Sequence, residues 1–262
     1  MIDKIYLVEN VIFDIVLVAV ILLSLRLIRR ENRSMAAVFF AFGGVSWLLS
    51  GIYWMAYTFI GTGERMPFAA NEFGEAAGFL LYGSALYSIA KKDRPFWRED
   101  FLLPLLIMAG YMALWIGWSG EWLEDILTGA VFGYYLCRCC RALREEKALS
   151  RAEQTGLGAL TILIPALEGL IFFVPEKAAA VLDTVCYLMM SVILVCFLLL
   201  NIRELRRRGQ AGRRMALAFS LFAWAGSCMY MSAGIWYNLF YFFAAVSTVL
   251  MLGAVQEEVR NP

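Results

Sequence analysis

The chain contains no histidine. That absence removes bis-His haem ligation, His-ligated zinc, diiron sites of the Glu-x-x-His type, and any Ser-His or Cys-His catalytic pair. Charge is scarce as well: Asp, Glu, Lys and Arg make up 17% of residues, against about 25% in soluble domains. The six cysteines offer no replacement metal site. Cys137, Cys139 and Cys140 cluster in CRCC, and 137 and 140 share a helix face, but a fourth ligand is missing nearby. They read as core or interfacial filler that stays reduced on the cytoplasmic side. The N-terminus lacks a basic leader region, since Asp3 and Glu9 outweigh Lys4, and its first apolar run ends in Arg29 and Arg30 rather than at small residues. It reads as a retained first span. No cofactor is expected.

What the chain has in abundance is apolar length. Hydrophobic residues make up 61% and mean hydropathy is +0.68. Short charged clusters separate apolar stretches of roughly 20 residues, the length that crosses about 30 Å of hydrocarbon. The stretches are apolar all round, whereas a soluble core helix would show a polar face at the 3.6 period. The expected spans are 10–28, 35–60, 68–90, 101–118, 122–140, 155–174, 178–201, 214–233 and 235–255. Residues 215–255 form one uninterrupted apolar stretch, too long for a single span, and a reversal is expected near Gly234 beside Trp236 and Tyr237.

Charge sets the orientation. Of the 23 Lys and Arg, 20 lie in the joints after odd-numbered spans or at the C-terminus, and the opposite side holds only Lys4, Arg65 and Lys177. Cytoplasmic loops carry the positive excess, which places the N-terminus outside and the C-terminus in the cytoplasm. Acids run the other way, with twelve of the 22 on the outer side or in the outer part of the spans. The predicted fold is therefore an all-α, polytopic transmembrane helical bundle. It has about nine spans, or eight if residues 215–255 are not divided. It forms one integral membrane domain over 1–262; a weak duplication, 1–118 and 119–233 plus a final span, is the alternative organisation. The expected location is the plasma membrane.

Several carboxylates fall inside these spans, where each costs a few kcal/mol unless it faces a bundle interior or water. Counted back from the basic anchors, Asp14 lies 12 residues from Arg26, Glu75 lies 16 from Lys91, and Asp125 lies 13 from Arg138. At 1.5 Å per residue these sit roughly 18–25 Å above the inner boundary. Asp14, Glu75 and Asp125 begin outward-starting helices, so capping competes with function as their explanation. Asp183, Glu72, Glu121 and Glu124 favour capping. Glu168 differs: it approaches a helix C-terminus, where a negative charge is disfavoured, and it follows Pro165 by three residues in PALEGL. No Lys or Arg within the spans is placed to pair with these acids. They must be protonated, solvated or neutralised by a cation, and oxygen-only ligands suit a hard ion such as Na⁺, Mg²⁺ or Ca²⁺. The sequence does not select a metal.

Aromatic residues crowd the outer half. Tyr53, Trp54 and Tyr57 spread around one helix further than a lipid-facing belt requires, which suggests a pocket wall suited to an organic cation. Gly74-x-x-x-Gly78 and Gly129-x-x-x-Gly133 permit close helix packing beside Glu75 and Asp125. The basic run RELRRRGQAGRR reads as a topology signal that meets anionic headgroups rather than nucleic acid.

These features favour a small-solute or cation-coupled transporter with an acidic site in the outer half, taking its ligand from the outer side. The candidate binding residues are Glu168, Glu75, Asp14, Asp125, Tyr53, Trp54 and Tyr57. Two other readings stay open. One is a membrane sensor or accessory subunit that signals through a membrane or cytoplasmic protein partner. The other is an intramembrane enzyme acting on a lipid-linked substrate, for which no nucleophile or metal can be named.

Overall fold

In the computed structural model, residues 4–30, 34–60, 70–90, 98–119, 122–207 and 210–260 are described. They form nine α-helices: α1 (Lys4–Arg30), α2 (Met35–Ile60), α3 (Ala70–Ile89), α4 (Arg98–Ser119), α5 (Trp122–Glu145), α6 (Arg151–Ile171), α7 (Glu176–Arg206), α8 (Ala211–Tyr230) and α9 (Ile235–Arg260). Five are long and apolar enough to cross a membrane: α1 from Val8 to Arg29, α2, α6, α7 and α9. The all-helical expectation holds, and so does the breakpoint in the long C-terminal apolar stretch. α8 ends at Tyr230, α9 starts at Ile235, and Gly234 between them takes φ +62°, a left-handed conformation that costs glycine little.

The helices form a ring around one member. Following packing neighbours, α1, α2, α3, α5, α4, α6, α7 and α9 close a circuit, and α8 packs on α3, α5, α7 and α9 from within. Every residue of α8 from Met215 to Met229 is buried. That position explains its composition. A helix enclosed by protein needs small residues for close approach more than it needs bulk hydrophobicity, and α8 is rich in alanine, glycine and serine. At Gly226 an added Cβ would stand 2.5 Å from the Phe79 ring.

Small residues also set the α2–α3 contact. A Cβ at Gly74 would meet the Ser50 Cβ at 2.9 Å, and one at Gly78 would meet the Trp47 ring at 3.1 Å. Gly133 of the second glycine pair receives Met108 of α4 in the same way. Around Trp47, Phe79, Tyr82 and Phe222 the rings pack edge-on or tilted at centroid separations of about 5 Å, the geometry favoured by their quadrupoles.

Outward faces are bulky and apolar. On α7, Val181, Val185, Leu188, Val192, Val195 and Leu199 are all exposed and recur at alternating spacings of four and three, which makes one continuous stripe. α1 carries a similar exposed series from Val8 to Leu25. A monomer in water rarely shows apolar stripes of this length; against hydrocarbon they cost nothing. The helices are those of a membrane-embedded protein.

Charged groups gather where ends of α6, α7, α8 and α9 come near residues 146–150. Arg203 donates to Glu153 at 2.7 Å and to the Ala148 carbonyl at 3.3 Å. Arg213 donates to Glu204 at 3.3 Å and to the Glu146 carbonyl at 2.9 Å. Arg214 pairs with Glu257. α6 starts with a capping box, in which Ser150 accepts from the Glu153 N–H and Glu153 accepts from the Ser150 N–H; this satisfies two otherwise orphaned donors. Arg203, Arg213 and Arg214, part of the run expected to meet headgroups, are thus engaged in holding helix ends together.

Candidate functional site

Two polar clusters lie toward the end of the bundle opposite these arginines. The first is bounded by α1, α2, α3, α8 and α9. Asp14 projects from α1 and is 9% exposed, and neither carboxylate oxygen has a hydrogen-bond partner among the described residues. It rests against the backbone of α2 at Gly51, where a Cβ would come within 2.8 Å of Oδ1. Any side chain there would displace the carboxylate, so the glycine makes room for it.

On the other side of α2, Glu75 of α3 accepts a hydrogen bond from the Tyr230 hydroxyl at the end of α8. Its Oε1 lies 3.3 Å from the Ser50 hydroxyl, which donates to the Asn71 carbonyl at 2.5 Å. Ser50 and Gly51 are consecutive, so one turn of α2 meets both acids. α9 supplies the remaining wall. Tyr237 and Tyr241 stack with centroids 5.9 Å apart, Tyr241 donates to Asn10 at 2.9 Å, and Asp14, Glu75 and Glu9 all lie within electrostatic reach of Tyr241. No Lys or Arg side chain pairs with Asp14 or Glu75 among the described residues. A carboxylate in such surroundings is stable only as the acid or beside a cation.

The second cluster surrounds Glu168, between α4, α6, α7 and α8. Glu168 is 2% exposed and its Oε1 has no hydrogen-bond partner among the described residues. Cys186 and Asp183 of α7 are its neighbours. The Cys186 thiol lies 3.9 Å from the Ile164 carbonyl. The Tyr111 hydroxyl of α4, also buried without a partner, is within electrostatic reach of Glu168. The helix continues through Pro165, whose ring packs toward Gly110 of α4. As in the first cluster, carboxylates and hydroxyls face one another with no basic group among the described residues.

Of the residues expected from the sequence, Asp14 and Glu75 are brought to one region, and Glu168 heads a separate one. Asp125 belongs to α5, but its side chain lies outside the described residues, as do those of Trp115, Trp118, Trp122, Glu121 and Glu124. Tyr53 is 37% exposed on the outer surface of α2. Trp54 and Tyr57 are half-buried, and none of the hydrogen bonds of Asp14 or Glu75 goes to these three. The tyrosines beside the acids are Tyr230, bonded to Glu75, and Tyr241, within electrostatic reach of Asp14 and Glu75. Ser50, Asn10 and Tyr111 were also missed. One signal for the first cluster was present: Asn10 precedes Asp14 by four residues and Asn71 precedes Glu75 by four. Two helices thus each set an amide and an acid on one face.

The chain matches no family model, no curated protein and no solved structure.

Proposed function

We propose that this is a nine-span membrane carrier, N-terminus outside, that binds a cation at Asp14 and Glu75 in the outer half of the bilayer and couples its movement to that of a small solute. The observation that carries this reading is Asp14, a carboxylate more than nine-tenths buried, without a hydrogen-bond partner among the described residues and within electrostatic reach of Tyr241. Such a group is costly to keep in a purely structural role. Carboxylate, amide and hydroxyl oxygens from five helices border it, the donor types that suit a hard cation. The charge asymmetry of the sequence supports the orientation, and it puts this cluster on the side where cations enter. Glu168 forms a second acidic position across the bundle and is read as part of the same pathway.

The test uses purified full-length protein in proteoliposomes that contain a pH-reporting dye, with an imposed diffusion potential and either Na⁺ or no alkali cation but K⁺ outside. Dye-reported proton entry, or uptake of radioactive Na⁺, that depends on the protein and disappears in Asp14→Asn supports the carrier. If Asp14→Asn moves protons and Na⁺ as wild type does, or if neither protein moves them above empty vesicles, the reading fails.

A further inference from the structure

The Glu168 cluster holds more unmet oxygen than a purely structural acid explains. Three side-chain oxygens from three helices are buried there without a hydrogen-bond partner among the described residues: Glu168 Oε1 on α6, Asp183 Oδ1 on α7 and the Tyr111 hydroxyl on α4. Glu168 lies within electrostatic reach of both others. No lysine or arginine acts on either acid among the described residues. A buried acceptor left unmet forfeits the solvation it had in water, and three in one place call for an occupant that donates to them.

Aromatic rings border the same acids. Tyr187 is buried and lies within electrostatic reach of Asp183 and Glu168, and its ring is stacked on Trp236 of α9 with centroids 5.5 Å apart. Tyr111 meets Trp224 of α8 edge to face, centroids 6.1 Å apart. Electron-rich rings beside an uncompensated carboxylate attract an organic cation. The donor set narrows the choice further. A hard metal ion takes about six or more oxygen ligands, and among the described residues no three acid or thiol side chains are grouped to hold a metal. A quaternary ammonium has no N–H and would leave all three oxygens unmet. A primary ammonium carries three N–H donors, one for each oxygen.

We propose that the Glu168 cluster binds a protonated primary amine with an aromatic tail, its ammonium held by Glu168, Asp183 and the Tyr111 hydroxyl and its tail against the tyrosine rings. The amine is then the small solute of the carrier; its movement rests on that reading, while its binding does not.

Binding is measured at equilibrium, without a gradient, on detergent-purified full-length protein in Na⁺-free buffer near neutral pH, with tritiated phenethylamine as the probe. Saturable binding is expected, with no displacement by 2-phenylethanol, which lacks the charge. Phenethyltrimethylammonium, which lacks the donors, should displace the probe only at about tenfold higher concentration than unlabelled phenethylamine. Glu168→Gln should weaken binding by about tenfold or more and Tyr111→Phe several-fold, whereas Asp14→Asn should bind as wild type does. Should Glu168→Gln not stay monodisperse, Tyr111→Phe carries the test. Absence of saturable binding, binding unchanged in the Glu168 and Tyr111 variants, an equal loss in Asp14→Asn, or equal displacement by 2-phenylethanol overturns the site. Equal displacement by the quaternary analogue overturns the choice of a primary amine. Amine binding without flux in proteoliposomes would strike the carrier and leave the site standing; flux without amine binding would do the reverse.

Discussion

The two ends of this bundle treat carboxylates in opposite ways. At the basic end, Glu145, Glu153, Glu204 and Glu257 each have an arginine within ion-pair distance; the first pair lies within α5 and the other three tie α6 to α7, α7 to α8 and α8 to α9. At the other end, Asp14, Glu75 and Glu168 have hydroxyls, a thiol or another carboxyl beside them and no arginine or lysine among the described residues. Burial does not distinguish the two sets: Glu204 is 1% exposed and Glu168 is 2% exposed. The presence of a counter-charge does. A buried acid with a fixed arginine is already neutralised and has little left to exchange, whereas one without it gains free energy from any proton or cation that reaches it. The comparison therefore separates acids with a fixed counter-charge from acids that have none among the described residues.

The largest effect should come from breaking a pair at the basic end. Arg213→Ala leaves the Glu204 carboxylate buried without its cation and removes a donor from the Glu146 carbonyl. The expected loss is about 3 kcal/mol, measured as a fall in the thermal midpoint of the detergent-purified protein. Arg203→Ala sharpens the point, because the Glu153 side chain is 30% exposed and can be hydrated; there the loss should be about 1 kcal/mol. If the two variants lose equal stability, burial is not what makes these pairs structural.

A smaller loss is expected at the boundary between the two kinds of acid. Tyr230→Phe removes the hydroxyl that donates to Glu75 and leaves the ring packing in place. The cost should be about 1 kcal/mol, typical of a side-chain hydrogen bond. Glu75→Gln keeps an acceptor for Tyr230 and should lose less. If Glu75→Gln is the more damaging of the two, Glu75 is held by something other than this hydroxyl.

Much of this architecture could be read from apolar length alone. The helices overlap the expected segments, and the 215–255 stretch divides as expected, though α1 starts six residues early at Lys4 and α6 and α8 end three residues short. At the charged ends, α5, α7 and α9 each run five residues past the expected boundary, to Glu145, Arg206 and Arg260. Hydropathy marks where a helix leaves hydrocarbon, while the backbone ladder continues as long as side chains such as Arg141 and Glu145 support it. The acids themselves were also visible, since an ionisable residue in an apolar run is conspicuous. Their company was not. Tyr230 reaches Glu75 across 155 positions, and which helix would occupy the centre of the ring depends on packing that no local pattern encodes.

At the unpaired end the sign of the stability change should reverse. Asp14→Asn replaces a partnerless buried carboxylate with a neutral amide of the same shape. In buffer stripped of divalent ions and Na⁺ the variant should be as stable as wild type or more stable by about 1 kcal/mol. Adding cations should raise the wild-type midpoint and leave the variant unmoved. A destabilised Asp14→Asn in the stripped buffer would mean that the carboxylate is satisfied in the fold, and the contrast between the two ends would collapse.

The smallest stability effect should belong to Glu168→Gln, and it is the most discriminating. Glu168 is almost fully enclosed, so a substitution that disturbed packing would register strongly; glutamine preserves the volume, and Oε1 has no partner to lose. The midpoint should move by less than about 1 kcal/mol. Cation flux in proteoliposomes should nevertheless stop, because the amide can neither take up a proton nor neutralise a cation. A structural acid predicts the converse, a lower midpoint with flux intact, since glutamine would disturb the hydrogen bonding around Cys186 while leaving the pathway elsewhere open. Retained flux in a stable Glu168→Gln would confine exchange to Asp14 and Glu75 and leave Glu168 as a buried acid without a part in it.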